Sequence, residues 1–501
     1  RTGEFPTSYS GGKPTVEPGG HMSLTENLKI VVGDAFEIAA ERASTEQADF
    51  PLMPLGTPCD MGHDENGIPL IDPRIFGSRE FQRNPYPYYH IMQDHYPVFH
   101  DKLNNCYFVT RYADINDAYF DGLGFNTIPK GSSNHVLGNT QLELSGIEHS
   151  RRRNLYGRHL VGSALTKRFG AICKMANDMI DAWFDPASGM SEYDPSTGKY
   201  VIELGRAFAN DFPIRVVCQV LGFPDDAQDR FFYWYKNMMG GIGGRDFEQK
   251  GLMARQDLED FVEEIVEQRR KAPQYLLDDN GNQVAPDIIS ELCQTVIDGD
   301  YLSTEEITSN IALIVGGGGE TTRGAILNMW YLLLQHPDQM AAVLADDALW
   351  DAAFHETLRH SSSIGGQPRH NTFDIEMHGI KIPAGSLMHM VDWAANHDPR
   401  VFTDPERFDI FRNDLYTEKI VRAGYRKEGK CNHMAFGVGP HLCPGAWISH
   451  QEASIGSNIM SKRVKNVAIV EDRMPKDIDG VTLAPIGLGA INELWLEFEK
   501  A

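Results

Sequence analysis

Ten residues constrain this chain more than any others: Phe436-Gly437-Val438-Gly439-Pro440-His441-Leu442-Cys443-Pro444-Gly445. Three glycines crowd one cysteine, and an apolar-rich segment, Ala446-Trp447-Ile448, follows at once. Glycine reaches positive φ and lets backbone approach a bulky ligand closely. A cysteine at the start of a helix has its thiolate favoured by the helix dipole and by free N–H groups. The loop therefore reads as a device that presents one thiolate to a metal. Structural zinc wants four protein ligands, and neither a second cysteine nor a metal-spaced histidine lies nearby, so a lone thiolate suits heme iron better. The alternative, a buried structural cysteine, is the usual fate of a free thiol.

A second constraint is the apolar stretch 304–335, which predicts one long helix. It contains Gly316-Gly317-Gly318-Gly319-Glu320-Thr321-Thr322. Four glycines in a helix cost about 1 kcal/mol each relative to alanine, so they need a reason. They leave room for a flat cofactor and loosen the helix hydrogen bonding. Thr321 can then bond a freed carbonyl or bound dioxygen, and Glu320 offers an ionisable group for a proton relay. A phosphate loop is excluded because no Gly-Lys-Ser/Thr follows. A solvated helix turn is the plain alternative for Glu-Thr-Thr.

The rest of the pattern predicts a mainly α chain with small β-sheets at both ends. Helices are expected at 25–50, from Pro85 to about 94, from Arg111, beyond 148, over 200–221, 225–238, 246–271 and 338–360. Strands are expected at 107–110, 371–391 and 484–498. Residues 51–75 and 121–140 read as irregular, and 239–244 as a glycine-rich hinge. Residues 1–21 read as a tag or linker, 22–75 as an N-terminal extension, and 76–501 as one domain.

Composition bounds the function. Of 501 residues, 42% are hydrophobic and 23% charged, enough for a large core. The net charge of −24 argues against nucleic acid and anionic membranes as partners. Seven scattered cysteines (59, 106, 173, 218, 293, 431, 443) form no CxxC pair and read as reduced thiols of a cytoplasmic protein. No run of 18 apolar residues and no basic-then-apolar start is present, so neither a membrane span nor a signal peptide is expected.

The ten-residue string resembles the cysteine-loop signature of the cytochrome P450 family, the heme-thiolate monooxygenases. Phe436, Gly437, Gly439, His441, Cys443 and Gly445 occupy its fixed positions. The resemblance covers about residues 80–500 and is to the family's soluble bacterial members. It implies that fold, with the long central helix over heme b, and Cys443 as the axial metal ligand. It implies Glu320 and Thr321 as the acid–alcohol pair that delivers protons, with Glu where many bacterial members have Asp. His149 and Arg153, four apart on one helix, match the family's propionate pair, joined by Arg369 and His441. Phe436, Gly437, Gly445, Gly317 and Gly318 would lie against the cofactor. Glu356 and Arg359, three apart, would form a buried ion-pair network with Arg407 of Pro405-Glu406-Arg407-Phe408. His355 and His360 are five apart and do not make a zinc motif.

Substrate contacts are expected from Ile314, Val315 and Gly317 on the long helix and from Ile364 and Gly365. Simple packing is the alternative for each. Loops 125–140 and 239–244 would form a lid. The resemblance implies oxygen insertion from O2 into a hydrophobic small molecule, by hydroxylation or oxidative dealkylation. Electrons would come from a separate 2Fe-2S ferredoxin and ferredoxin reductase. Lys419, Arg422, Arg426, Lys427 and Lys430 form a basic patch that suits such an acidic partner, or else a solvated insertion. A peroxide-driven peroxygenase and a non-catalytic heme sensor are the competing functions; neither needs the Glu320-Thr321 pair.

Overall fold

Helix signals dominate the sequence, and helices dominate the described residues of the computed structural model, which also hold two main sheets and three short hairpins. The structure describes residues 61–122, 124–127, 132–243, 245–278, 280–417, 429–476 and 489–501. The helix expected over 25–50 lies outside them, as do residues 484–488 of the last strand signal.

Pro85 precedes α1 (Tyr86–His95), where its missing N–H leaves no hydrogen bond unmade. A hairpin of β1 (Val98–Asp101) and β2 (Cys106–Val109) follows, then α2 (Tyr112–Phe120). Residues 121–140 are not all loop: they hold β3 (Phe125–Asn126) and α3 (Ser132–Leu137). Val136 and Leu137 are buried in the main core, and that burial orders the segment. Next come α4 (Gly146–Gly157) and α5 (Gly162–Asp181).

The helix expected over 200–221 is a strand, a π turn and a shorter helix. β4 (Glu192–Asp194) pairs with β5 (Lys199–Glu203), a π turn spans Gly205–Ala209, and α6 (Asp211–Leu221) completes the segment. The cause is tertiary. Tyr200 and Ile202 pair with Phe498 and Leu496, nearly three hundred residues on, and those cross-strand pairs outweigh local periodicity.

The glycine run at 239–244 is no open hinge either. α7 (Gln228–Gly243) continues through 239–243 and α8 (Arg245–Lys271) follows, while Gly244 lies outside the described residues. Small residues serve the crossing: a Cβ on Gly251 would stand 3.0 Å from the Gly241 Cα.

The long helix over 304–335 is broken in two, α9 (Thr304–Gly318) and α10 (Glu320–Gln335). Gly319 sits between them at φ −90° and ψ −73°, outside ordinary helix geometry. A Ser303/Glu306 capping box fixes the start of α9. The chain continues through α11 (Pro337–Ala345), α12 (Leu349–His360), β6 (Gln367–Asn371), β7 (Leu387–Met390), α13 (Asp392–Asn396), α14 (Ala446–Arg463), β8 (Val464–Ile469) and β9 (Trp495–Lys500).

One sheet runs β1-β2-β7-β6-β3 and the other β8-β9-β5-β4. The main core is built from α5, α6, α7, α8, α9, α10, α12 and α14, with Trp183, Trp234, Trp330 and Trp350 fully enclosed. Ile75 is fully buried, and Met61 and Ile71 pack on the same aromatic cluster of Phe81, Tyr88 and Tyr89. Packing with the body of the protein thus begins before the boundary expected at residue 76. No helix of the described residues is long and apolar enough to cross a membrane.

Candidate active site

Glycine geometry shapes the cysteine loop. Gly437 and Gly439 adopt φ of +64° and +71°. At Gly439 a side chain would also meet the Tyr119 carbonyl at 3.0 Å and the Phe120 ring at 3.2 Å, so only glycine fits. The Gly437 N–H donates to the Met434 carbonyl (2.7 Å) and the Cys443 N–H to the Phe436 carbonyl (2.8 Å), which folds the loop back on itself. Phe436 braces it from below, its ring 6.2 Å from that of Phe354.

Cys443 comes three residues before α14 and keeps part of its surface open. Cys106, Cys218, Cys293 and Cys431, by contrast, are buried. Burial pushes the Cys443 thiol up, while the Gly445 and Ala446 N–H groups and Arg153 pull the other way. These donors face the sulfur and would stabilise it as an anion once a metal is bound.

Four basic side chains from three parts of the chain meet beside this loop. The His149 ring on α4 lies 3.8 Å from the His441 ring, centroid to centroid. Burial first, then His149, Arg369 and Arg153, holds the His441 imidazole down at about 3. Such mutual repulsion is the signature of a cluster built for an anion.

Across α9 the glycines divide their tasks. A Cβ at Gly317 would meet nothing within 4 Å, so this residue faces open space. Gly316 packs on the Met239 sulfur and Gly318 on Val217. Gly318 was expected against the cofactor beside Gly317; a helix crossing uses it instead. Ile314 is partly open, whereas Val315, expected in the pocket, is fully buried in the core. Leu313, within the apolar run 311–315 read as pocket-lining from the sequence, is partly open and one helical turn before Gly317. Ile364 is exposed, but Gly365 backs directly onto the Trp393 indole, where a Cβ would overlap the ring.

The break at Gly319 places Glu320 in the first turn of α10. Its carboxylate pairs with Arg323 (2.9 Å) and accepts from the Tyr235 hydroxyl (3.2 Å). Arg323 is in turn held by Asn210 (2.6 Å) and the Asn492 carbonyl. Thr321 donates its hydroxyl to the Gly317 carbonyl at 3.0 Å. Thr322 bonds Ser449 (3.0 Å), tying α10 to α14.

The ion-pair network differs from expectation in one member. Arg359 grips Glu356 with two bonds, at 2.7 and 2.8 Å, and both side chains are fully buried. It also donates to the carbonyls of Asn396, Pro405 and Arg407. The third arginine is Arg412, 3.1 Å from Glu356 and 5% exposed. Arg407, expected there, has a side chain 67% exposed and stands 3.6 Å from Asp409. Arg407 contributes only its backbone carbonyl.

A partly exposed cysteine with two N–H groups on its sulfur, a cluster of basic side chains beside it, and a glycine facing open space fit a flat, anionic, metal-centred cofactor: a heme held through sulfur. Among the described residues no cluster of three or more His, Cys, Asp or Glu offers a different metal centre.

The profile described as Cytochrome P450 matches residues 244–462. Pulcherriminic acid synthase of Bacillus subtilis is 25% identical over 417 residues, 82% of this chain and 96% of that protein. The steroid C26-monooxygenase of Mycobacterium tuberculosis is 25% identical over 409 residues, 81% of this chain and 91% of that protein. Among solved structures, the bacillaene polyketide synthase cytochrome P450 PksS of Bacillus subtilis superposes with a TM-score of 0.69. It is 21% identical and covers 86% of this chain and 100% of that one. Residues 244–462 thus carry a cytochrome P450 domain, and the similarity to proteins of that kind extends over most of the chain. The chain has the cytochrome P450 fold, its cofactor is heme b, and it is an oxidoreductase of the monooxygenase class.

Proposed function

We propose that this enzyme inserts one oxygen atom of O2 into a hydrophobic small molecule, by hydroxylation or oxidative dealkylation, with two electrons from a ferredoxin and its reductase. The balance is substrate, O2, two electrons and two protons in; oxidised product and water out. Heme, when bound, supplies the redox centre at which dioxygen is reduced.

The chain's own residues supply the rest. Cys443 holds the metal, with the Gly445 and Ala446 N–H groups on its sulfur. His149, Arg153, Arg369 and His441 hold the propionates. The observation that carries this assignment is the convergence of His149, Arg153 and Arg369 on His441, two residues from the one partly open cysteine in the loop. Ile314, Leu313 and Gly317 offer an apolar, roomy wall for substrate, and the exposed Ile364 adds apolar surface. Thr321 holds a proton on its hydroxyl at the Gly317 carbonyl. Glu320, whose own side chain is half exposed, can renew it after leaving Arg323. The decisive experiment is turnover with isotopically labelled dioxygen and a reduced ferredoxin. One labelled atom in the product is expected; labelled product only from added peroxide would favour a peroxygenase.

Thr321→Ala tests the proton relay. Product formation is expected to fall about a hundredfold, the ordinary scale of a lost acid–base group, while reductant is still consumed and peroxide accumulates. Equal coupling of reductant to product in the variant would remove Thr321 from the relay.

Lys419, Arg422, Arg426 and Lys427 lie outside the described residues; Lys430 is half-buried at their edge. In a chain of net charge −24 this patch suits an acidic electron donor. Reversing the five charges to glutamate is expected to slow electron transfer about tenfold at low ionic strength and to flatten its salt dependence. An unchanged rate and salt slope would sink the assignment.

A further inference from the structure

Arg369 has a buried acid behind it. The arginine sits on β6, 6% exposed, with its Nη1 donating to the Pro368 carbonyl at 2.8 Å. Its guanidinium lies 4.8 Å from the centre of the Tyr119 ring. Tyr119, on α2, donates its hydroxyl to Asp392 at 2.9 Å. Asp392 opens α13 and is 2% exposed. Three elements thus align an acid, a phenol and a guanidinium, and the outer end of that row is the cation cluster at His441.

The row is electrostatically closed. Tyr119 and Arg369 are the ionisable groups that face Asp392. Those on the other packed elements are engaged elsewhere. On α12, Glu356 and Arg359 hold each other and His360 bonds the Glu406 carbonyl. On α1, His90 pairs with Glu406 and Asp94 with Arg400. On α2, Asp114 pairs with His378. Beyond α13, His397 pairs with Glu406 and Asp398 with Arg400.

We infer that Asp392 is a positioning residue which governs, through Tyr119 and Arg369, how tightly a heme propionate is held. The inference rests on Arg369 being a propionate residue. Protonated, Asp392 leaves the guanidinium charge to the propionate. Ionised, it competes for that charge inside a low-dielectric pocket, where competition is strongest.

The sign follows from linkage. Burial pushes the Asp392 carboxyl up to about 8, against the opposing Tyr119 bond and Arg369 charge. A propionate drawing on the Arg369 charge raises it further. Heme binding therefore favours protonated Asp392, and by reciprocity raising the pH through its ionisation weakens heme binding. One pKa unit of coupling corresponds to about a tenfold change in affinity.

The test is heme transfer from the loaded protein to excess apomyoglobin, followed by absorbance from about pH 6 to about pH 10. Wild-type heme loss is expected to accelerate about tenfold through a single ionisation. Asp392→Asn should stay slow at every pH. Tyr119→Phe removes a bond that lowers the Asp392 pKa, so its transition should move to higher pH. Arg369→Gln should lose heme fast throughout. A wild-type rise retained in Asp392→Asn would overturn the inference and leave Arg369 in place. If that variant does not fold, an unmoved transition in Tyr119→Phe overturns it equally. Wild-type kinetics in Arg369→Gln would instead remove Arg369 from the propionate site, and the inference with it.

Discussion

Cys443→Ser is expected to abolish the far-red Soret band of the dithionite-reduced, carbon monoxide-bound protein and to lower turnover at least about a thousandfold, roughly 4 kcal/mol of barrier. Serine keeps the size of the side chain and the loop's backbone bonds. It gives up the polarizable anion that would donate electron density to a bound heme iron. Nor can it be ionised there. Even the native thiol is pushed up by burial despite the Gly445 and Ala446 N–H groups and Arg153. A coordinating metal deprotonates a thiol outright, but an alcohol starts several pKa units higher. The measurement is the difference spectrum of both proteins at equal heme content. A variant that keeps the far-red band would mean that another group ligates the metal.

The second large effect concerns stability, and it separates two arginines. Arg359→Ala is expected to cost about 3–5 kcal/mol, the usual penalty for orphaning a buried charge. Glu356 would be left fully enclosed with its main partner gone. Three carbonyls, of Asn396, Pro405 and Arg407, would lose their donor as well. Arg412→Ala removes the other contact to Glu356 and is expected to cost about 2–3 kcal/mol. Arg407→Ala should stay within about 0.5 kcal/mol, since its side chain is two-thirds exposed and faces Asp409. A whole protein is stable by only about 5–15 kcal/mol, so Arg359→Ala should also be recovered poorly loaded with heme. Urea unfolding midpoints, with heme content alongside, rank the three. Equal losses in Arg407→Ala and Arg412→Ala would contradict the observed network.

That arginine pair marks where sequence stops being sufficient. A Pro-Glu-Arg-Phe string pointed to Arg407, five residues from the side chain that reaches Glu356. Whether a loop arginine turns inward depends on its backbone direction, which no spacing rule encodes. The long helix shows the same limit. Its glycines were legible as a local disturbance, yet the clean break at Gly319 and the split among Gly316, Gly317 and Gly318 depend on what packs opposite. Val315 and Gly365 belong here too: both are apolar or small in the right segment, and their neighbours put them in the core. Tyr119 and Asp392 left no signal at all, being 273 residues apart in the chain and joined only by the fold.

By itself the sequence determined the cysteine loop, the paired cations of α4 and the buried Glu356–Arg359 pair, because each is encoded within a few residues by backbone freedom or helical spacing. It also determined the resemblance to the cytochrome P450 family, because those short patterns are highly specific. Only the tertiary structure decided that residues 199–203 form a strand, which arginine completes the ion network, and which glycine faces open space. Each of those outcomes depends on a partner far away in the chain, and burial against that partner outweighs the tenths of a kcal/mol by which local propensity differs.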